Sequence, residues 1–127
     1  MKIDILTLFP EMFVPLKESI VGRAVKRNKI EINLVNIRDF SIDKHKKCDD
    51  YPFGGGAGMV MMPQPLADAI EAVDAAHTAR RIYLSPKGET FSQKMLPRLG
   101  GYGHIVLVCG HYEGIDQRVI DLFIDEE

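Results

Sequence analysis

His104-Ile105-Val106-Leu107-Val108-Cys109-Gly110 is the stretch of this chain that decides its fold. It is a short, continuous apolar run that ends at a glycine, and a strand buried on both faces of a parallel sheet requires such a run. Similar patterns predict a buried opening strand at 3–9, a second strand at 30–37 and a third at 81–84. The run at 104–109 is therefore expected to be a central strand.

Helical periodicity fills the segments between these strands. A first helix is predicted to begin near Pro10 and to end in the basic residues at 26–29, where cations suit the helix dipole. Short helices are predicted at 91–99 and 115–123. The apolar stripe of the first helix consists of Phe13, Leu16, Ile20 and Ala24. A second helix, which follows the segment 38–62, has an apolar stripe of Leu66, Ala69, Ile70, Val73 and Ala76. This alternation predicts an α/β fold with a mostly parallel sheet and helices on both faces.

Composition bounds the class of protein. The chain has 127 residues, of which 46% are hydrophobic, so it is long enough for one domain with a buried core and is not predicted to be disordered. Its formal net charge of -2 means that any contact with nucleic acid must be local. Its two cysteines, Cys48 and Cys109, and the absence of a leader or membrane-spanning pattern predict a reduced, cytoplasmic setting without a disulfide or zinc site.

Neither a helical nor a strand periodicity of apolar residues holds between residues 38 and 62. Segments of that length without regular structure are usually functional or disordered. Within this segment, Asp49-Asp50-Tyr51-Pro52-Phe53 precedes Gly54-Gly55-Gly56-Ala57-Gly58-Met59. Glycines let backbone N–H groups approach a flat or charged ligand closely. The run has neither the lysine of a phosphate loop nor the preceding strand of a dinucleotide fingerprint. A ligand loop and a flexible surface loop both remain open as interpretations.

A small basic cluster, Lys44-His45-Lys46-Lys47, lies in the same segment. Contact with phosphate is one interpretation. The other is a solvated loop whose charge is balanced by Asp43, Asp49 and Asp50.

Ligands of open α/β sheets bind beyond the carboxyl ends of the strands. Two such ends are distinctive here: Leu84-Ser85-Pro86, and Cys109-Gly110-His111-Tyr112-Glu113-Gly114-Ile115-Asp116. Glu113 is placed to bind a hydroxyl group, an amine or a metal ion. The plainer interpretation is that Gly110 and Gly114 shape a turn and that Asp116 caps the next helix.

The motifs occur in an order that is more specific than any of them alone. Besides the run at 49–59 and the two strand ends, they are Leu8-Phe9-Pro10-Glu11-Met12-Phe13, Gly22-Arg23-Ala24, Arg38-Asp39-Phe40 and Pro63-Gln64-Pro65-Leu66. This set resembles the bacterial tRNA (guanine-N(1)-)-methyltransferases, which belong to the SPOUT methyltransferases with a trefoil knot. The resemblance covers residues 1–127. It departs at Ala57 and Phe53, where proline and tyrosine are common in the family.

The resemblance implies a methyl transfer from S-adenosylmethionine to N1 of the guanine on the 3′ side of the tRNA anticodon, at position 37. It implies catalytic roles for Glu113 and Asp49, with Glu113 also the candidate ligand of a magnesium ion. The implied cofactor contacts are Tyr83, Leu84, Ser85, Pro86, Gly110, Tyr112, Glu113 and Gly114. The implied contacts to the target guanine are Asp49, Asp50, Gly54, Gly55, Gly56, Gly58 and Met59.

The resemblance also implies that residues 1–127 are the N-terminal part of a SPOUT catalytic domain, truncated before the knot is completed. Family members continue with a glycine-rich segment, a linker that bears a catalytic aspartate and an arginine, and a helical tRNA-binding domain. We therefore expect this chain to be inactive alone and to bind the cofactor weakly. We also expect it to self-associate, because the family acts as a homodimer.

Three other functions compete with this one. A related methyltransferase acting on the ribose 2′-oxygen is disfavoured by the run at 49–59. A nucleotide- or RNA-binding module without catalysis remains an alternative. A hydrolase with Glu113 or His111 as base lacks a placed nucleophile.

Overall fold

A computed structural model describes residues 1–52, 55, 58–111 and 114–127 of the chain. Within these residues the strands are β1 (Lys2–Thr7), β2 (Glu31–Asn36), β3 (Asp49–Asp50), β4 (Val60–Met61), β5 (Arg80–Leu84) and β6 (His104–Cys109). The α-helices are α1 (Ser19–Lys26), α2 (Pro63–Val73), α3 (Leu96–Gly100) and α4 (Gln117–Phe123). Short 3₁₀ helices occupy Pro10–Lys17, Ile37–Phe40 and Gln93–Met95.

The main sheet has four strands in the order β2-β1-β6-β5, and every pairing in it is parallel. This confirms the predicted α/β fold with a parallel sheet. The apolar run at 104–109 forms β6, which lies between β1 and β5, and Val106 and Val108 are fully buried. A central parallel strand excludes water from both of its faces, which is why this stretch carries so little polar character.

The hydrophobic core lies between one face of the sheet and the helices α2 and α4. Leu6, Val106 and Val108 point into it from the sheet, and Leu66 and Ile70 from α2 are equally buried. Burying one such side chain contributes about 1.5–3 kcal/mol relative to leaving it in water. The predicted apolar stripe of the second helix therefore anchors α2 to the sheet.

Helices also cover the opposite face of the sheet, as predicted. On the β2 side, Phe13, Leu16 and Val25 surround Ile32 and Leu34. On the β5 side, the sheet residues Ile82, Ile105 and Leu107 and the helical residues Met95, Leu96 and Leu99 line one groove.

The single helix predicted from Pro10 to residue 29 is wrong in one respect, because two separate helices occupy this range. Pro10–Lys17 is a 3₁₀ helix, Glu18 is extended (φ -111°, ψ 167°), and α1 begins only at Ser19. Pro15 lies within the first of them. Proline lacks the N–H group and clashes with the preceding turn of an α-helix, so Pro15 disfavours one continuous α-helix over this range.

The segment 38–62 contains more regular structure than its sequence predicted. It begins within the 3₁₀ helix Ile37–Phe40, and β3 pairs with β4 in a short antiparallel ladder in which Asp49 faces Met61. Gln64 Nε2 donates a hydrogen bond to the carbonyl oxygen of Phe40, 2.6 Å away, and thereby ties the segment to the start of α2. Strands of two residues are too short to show any periodicity.

Three helix boundaries also differ from the prediction. Helix α2 ends at Val73, so Ala76 lies outside it and is exposed. The predicted helix at 91–99 is divided into Gln93–Met95 and α3. Helix α4 begins at Gln117 instead of residue 115. Among the helices that the structure describes, none has the length and apolar character that a membrane crossing requires.

Candidate active site

The loops after β5 and β6 leave the sheet side by side. Leu84, the last residue of β5, is paired in register with Cys109, the last residue of β6. The Ser85-Pro86 turn and the loop that begins at Gly110 therefore lie at the same edge of the sheet, as predicted from the carboxyl-end rule.

The backbone of the second loop runs directly over the Tyr83 ring. A Cβ atom at Gly110 would lie 2.9 Å from Tyr83 Cε2 and 3.1 Å from its hydroxyl oxygen, so only glycine fits there without a shift. Gly114 has φ +140°, a conformation that other residues rarely adopt. Burial raises the pKa of the Tyr83 phenol and of the Cys109 thiol, so both stay neutral at pH 7. This end of the sheet thus offers closely approachable backbone and no activated thiolate.

The β3–β4 hairpin is fastened to the same loop. Met61 N donates a hydrogen bond to the carbonyl oxygen of Gly114 at 3.0 Å, and Met61 forms a parallel bridge with Ile115. Asp49 lies opposite Met61 in the hairpin, so only β4 separates the strand of Asp49 from the Gly114 loop. The structure therefore brings three sequence-predicted parts together: the Ser85 turn, the ends of the 110–114 loop and the Asp49 strand.

Four residues of the predicted site lie outside the described residues: Gly54, Gly56, Tyr112 and Glu113. The roles predicted for these residues, like those predicted for the described ones, stay predictions. Two glycines of the run are described, Gly55 with φ +91° and Gly58 with φ +83°. At both positions a side chain would strain the backbone, which explains the need for glycine in this loop.

An aromatic and cationic cluster near the strand ends was missed by the sequence analysis. Phe9, which follows β1, makes an edge contact with the ring of His111, with ring centroids 5.1 Å apart. The Arg38 guanidinium lies 5.5 Å from the centroid of the Phe9 ring, a cation–π distance. Asn36 fixes this arrangement, since its side chain accepts a hydrogen bond from Arg38 N. The carboxyl-end rule, applied to β1 and β2 as well, would have named Phe9 and Arg38 as candidates, but not their contacts.

Two cavities adjoin these loops. The sheet groove, of about 580 Å³, is bounded by the turn Leu84-Ser85-Pro86 and floored by apolar residues such as Ile105 and Leu107. The hairpin pocket, of about 340 Å³, lies between the hairpin and the start of α4, where Pro52, Val60, Ile115, Asp116, Gln117 and Arg118 line it. Asp116 caps α4 by accepting a hydrogen bond from Arg118 N, as the plainer interpretation predicted.

The edge of β5 next to the sheet groove is held by Glu126. Tyr83 N donates to the carbonyl oxygen of Glu126 at 2.9 Å, and Ile82 forms a parallel bridge with Glu126. The Glu126 carboxylate accepts hydrogen bonds from Arg98 Nη1 at 2.8 Å and Arg80 Nε at 2.6 Å. These arginines, Arg98 foremost, lower the pKa of Glu126 against the opposing effect of burial. The two arginines thus fix the residue that borders the groove.

The basic cluster at 44–47 is organised by Asp43. The Asp43 carboxylate accepts hydrogen bonds from His45 N at 2.8 Å and Lys47 N at 3.1 Å, and the Lys47 and His45 bonds lower its pKa. The side chains of Lys44, Lys46 and Lys47 stay exposed. The backbone of this turn is therefore locally satisfied, and its charge balance comes from Asp43. Across the described ranges, no three His, Cys, Asp or Glu side chains are grouped to hold a metal ion.

Comparison with known proteins agrees with this geometry. Residues 1–127 match the family described as tRNA (Guanine-1)-methyltransferase TrmD. The chain is 54% identical over its whole length to a tRNA (guanine-N(1)-)-methyltransferase of Magnetococcus marinus, and it covers 50% of that protein. It is 57% identical over 97% of its length to one of Clostridium perfringens strain 13, of which it covers 52%.

A solved structure supports the same assignment. The crystal structure of tRNA (m1G37) methyltransferase from Aquifex aeolicus superposes with a TM-score of 0.86 at 32% sequence identity, covering 95% of this chain and 56% of that one. The fold and the strand-end loops thus define a methyltransferase-type α/β domain. The chain belongs to the tRNA (guanine-1)-methyltransferase family, and it spans about half the length of the curated relatives it matches.

Proposed function

We propose that this chain is the N-terminal part of an enzyme that transfers a methyl group from S-adenosylmethionine to N1 of guanine 37 in tRNA. The observation that carries the proposal is that three segments lie together at one end of the sheet. The Ser85 turn follows β5, Gly110 lies over Tyr83, and Met61 N binds the carbonyl oxygen of Gly114. Family membership supplies the reaction type.

The residues at the first two loops suit the methyl donor. S-adenosylmethionine, when bound, supplies a methyl group on a cationic sulfur. Its adenine ring has flat faces, which fit the close backbone approach at Gly110. Leu84, Ser85 and Pro86 are proposed to form one wall, with Gly110, Tyr112, Glu113 and Gly114 forming the other. Tyr83 supports both loops from below.

The hairpin suits the acceptor. Asp49, Asp50 and the glycine run to Met59 are proposed to receive the target guanine, whose Watson–Crick edge carries N1 when the base is unstacked from the anticodon loop. Attack by N1 requires removal of its proton and stabilisation of the charge that develops on O6. Asp49 and Glu113 are proposed to act on this edge. The base that takes the N1 proton is expected in the part of the relatives that this chain does not span.

The partners and cofactors follow from the same proposal. We infer that tRNA is the macromolecular substrate, that a second copy of the chain completes each site, and that the protein acts in the cytoplasm. Glu113 is proposed to hold a magnesium ion near the methionine end of the donor, since carboxylate oxygen suits that ion.

Calorimetric titration with S-adenosylhomocysteine tests the donor site. The unaltered chain should bind it weakly, and Gly110→Val should weaken binding further, because the added side chain pushes the loop off the Tyr83 ring. Gly103→Val is the matched control, because nothing lies within 4 Å of a Cβ at that position. Equal affinities of the two variants would contradict the proposed site.

The chain alone should form no N1-methylguanosine in tRNA, and detecting that product would refute this expectation.

A further inference from the structure

We propose that the outer face of α1 is a docking strip for the phosphate backbone of tRNA, separate from the methyl-transfer site. The α1 strip consists of Arg23, Arg27 and Lys29 around the exposed side chain of Ile20. The inference rests on the proposed function only for the choice of tRNA as the polyanion.

The strip follows from the periodicity of α1. Ile20, Arg23 and Arg27 are spaced three and four residues apart, so they share one side of the helix. Gly22 lies on the opposite side and is buried, with its Cα so close to the carbonyl group of Lys17 that a Cβ would collide with it. The inner side of α1 is thus committed to the 3₁₀ helix Pro10–Lys17, and the cationic side faces solvent.

The end of the helix adds the third cation. Lys29 N donates to Ala24 O at 2.9 Å and Asn28 N donates to Val25 O at 3.0 Å, the two hydrogen bonds of a Schellman motif. Asn28 has φ +58°, which is the left-handed conformation that this motif requires. The turn folds Lys29 back, so that Ile20, Arg23, Ala24, Arg27 and Lys29 line one shallow depression of about 290 Å³.

Within the part of the chain that the structure describes, these cations form no ion pair, unlike most of the arginines. Arg80, Arg81, Arg98 and Arg118 each form an ion pair. No hydrogen bond or ion pair joins the side chains of the α1 strip to any residue that the structure describes. In a chain with 16 Lys and Arg against 18 Asp and Glu, a strip of one sign is a local excess. Arg23 in the last turn of α1 and Arg27 at its C-cap both suit the helix dipole.

The chemistry of the strip fits phosphodiesters. Two guanidinium groups offer planar, paired donors that match phosphate oxygens, and the ammonium group of Lys29 adds a point charge. Helix α1 ends where the chain turns into β2, at the amino ends of the strands, whereas the methyl-transfer site lies at their carboxyl ends. The strip is therefore placed to hold the tRNA at a distance from the target nucleotide, without reading its sequence.

Two charge-neutralised variants test the strip. Arg23→Gln/Arg27→Gln/Lys29→Gln removes it, and Lys44→Gln/Lys46→Gln/Lys47→Gln removes the same charge from the exposed loop. Binding of an unmodified tRNA transcript is measured by fluorescence anisotropy between 50 and 200 mM salt. Loss of three phosphate contacts should lower the slope of log affinity against log salt by about 2–3 in the strip variant only. Across that salt range the unaltered chain should lose roughly 16- to 64-fold more affinity than the strip variant.

Several outcomes would overturn the inference. These are an unchanged slope in the strip variant, equal losses in both variants, or no tRNA binding by the unaltered chain. A change in sedimentation without a change in tRNA affinity, in the strip variant or in Ile20→Gln, would make the strip an interface between copies instead. Titration with S-adenosylhomocysteine is run in parallel. Absence of donor binding by the unaltered chain counts against the proposed function. A salt slope that is unaffected in the strip variant counts against the strip alone.

Discussion

Gly22 shows how a single residue sets the position of a whole helix. Its Cα faces the carbonyl group of Lys17, and its N–H group donates to Glu18 O at 2.9 Å. This close approach permits the turn at Glu18 that separates the 3₁₀ helix from α1. Any side chain at position 22 must push the two elements apart.

Gly22→Ala should therefore destabilise the fold by about 1–3 kcal/mol, because the neighbouring atoms belong to the backbone and cannot rotate away. Gly100→Ala is the matched control. Position 100 is also in a helix, and nothing lies within 4 Å of its Cβ. The control should be neutral or more stable by up to about 1 kcal/mol, since alanine favours helix. Urea unfolding of both variants measures this, and equal midpoints would contradict it.

At the scale of elements, two carboxylates connect β5 to other segments. Asp74, just after α2, pairs with Arg81, and Glu126, after α4, pairs with Arg80. Burial alone would raise the pKa of Asp74, but the hydrogen bonds from Arg81 and from the N–H groups of Thr78 and Ala79 outweigh it and lower that pKa. The pKa of Glu126 is lowered by Arg98 and Arg80. Both carboxyl groups thus ionise more readily in the folded chain than in the unfolded one.

Stability should consequently fall in acid. The unfolded values lie near 3.8 for Asp74 and 4.5 for Glu126, and the folded values lie below them. The stabilisation is complete above the unfolded values and is lost as the pH falls through the lower, folded-state values. Urea midpoints between pH 7 and pH 2.5 should show this decline.

Glu126→Gln keeps the shape of the side chain but cannot ionise. It should lower stability at pH 7 and narrow the difference between pH 7 and pH 2.5. A pH dependence that is identical in the variant and the unaltered chain would show that Glu126 contributes none of it.

The elements also show what the sequence determines. Periodicity located β6 and α2 because each buries a continuous apolar surface. Such a surface requires apolar residues at regular spacing, which the sequence displays directly. It failed at Pro15 and at the β3–β4 hairpin, where a missing N–H group and two-residue strands decide the structure. The loops of the site were predicted from strand ends. The cluster of Phe9, Arg38 and His111 was missed because it depends on which strands are neighbours, and periodicity carries no information on strand order.

At the scale of the whole molecule, apolar side chains stay exposed around the sheet groove. Phe91 is 67% exposed, Leu84 54% and Leu96 48%, and all three line the groove. An exposed apolar cluster of this kind is typical of an association surface. The proposed homodimer supplies the expected occupant, a second copy of the chain.

Sedimentation equilibrium should accordingly detect self-association, and Phe91→Ser/Leu96→Ser should shift the population toward monomer. Leu122→Ser is the control, because Leu122 is 73% exposed on α4 and does not line the groove. It should leave the equilibrium unchanged. A monomer at every concentration of the unaltered chain, or an equal shift in the control, would exclude the groove as the interface.

The pairing of β1 has a consequence for synthesis on the ribosome. Lys2 of β1 is in register with His104 of β6, so β1 gains this neighbour only after residues 104–109 have been synthesised. Until residue 109 has left the exit tunnel, one long edge of β1 has no partner, and such non-local pairing forms slowly. A nascent chain stalled before position 104 should therefore be cut by protease more readily than one that includes residues 104–109.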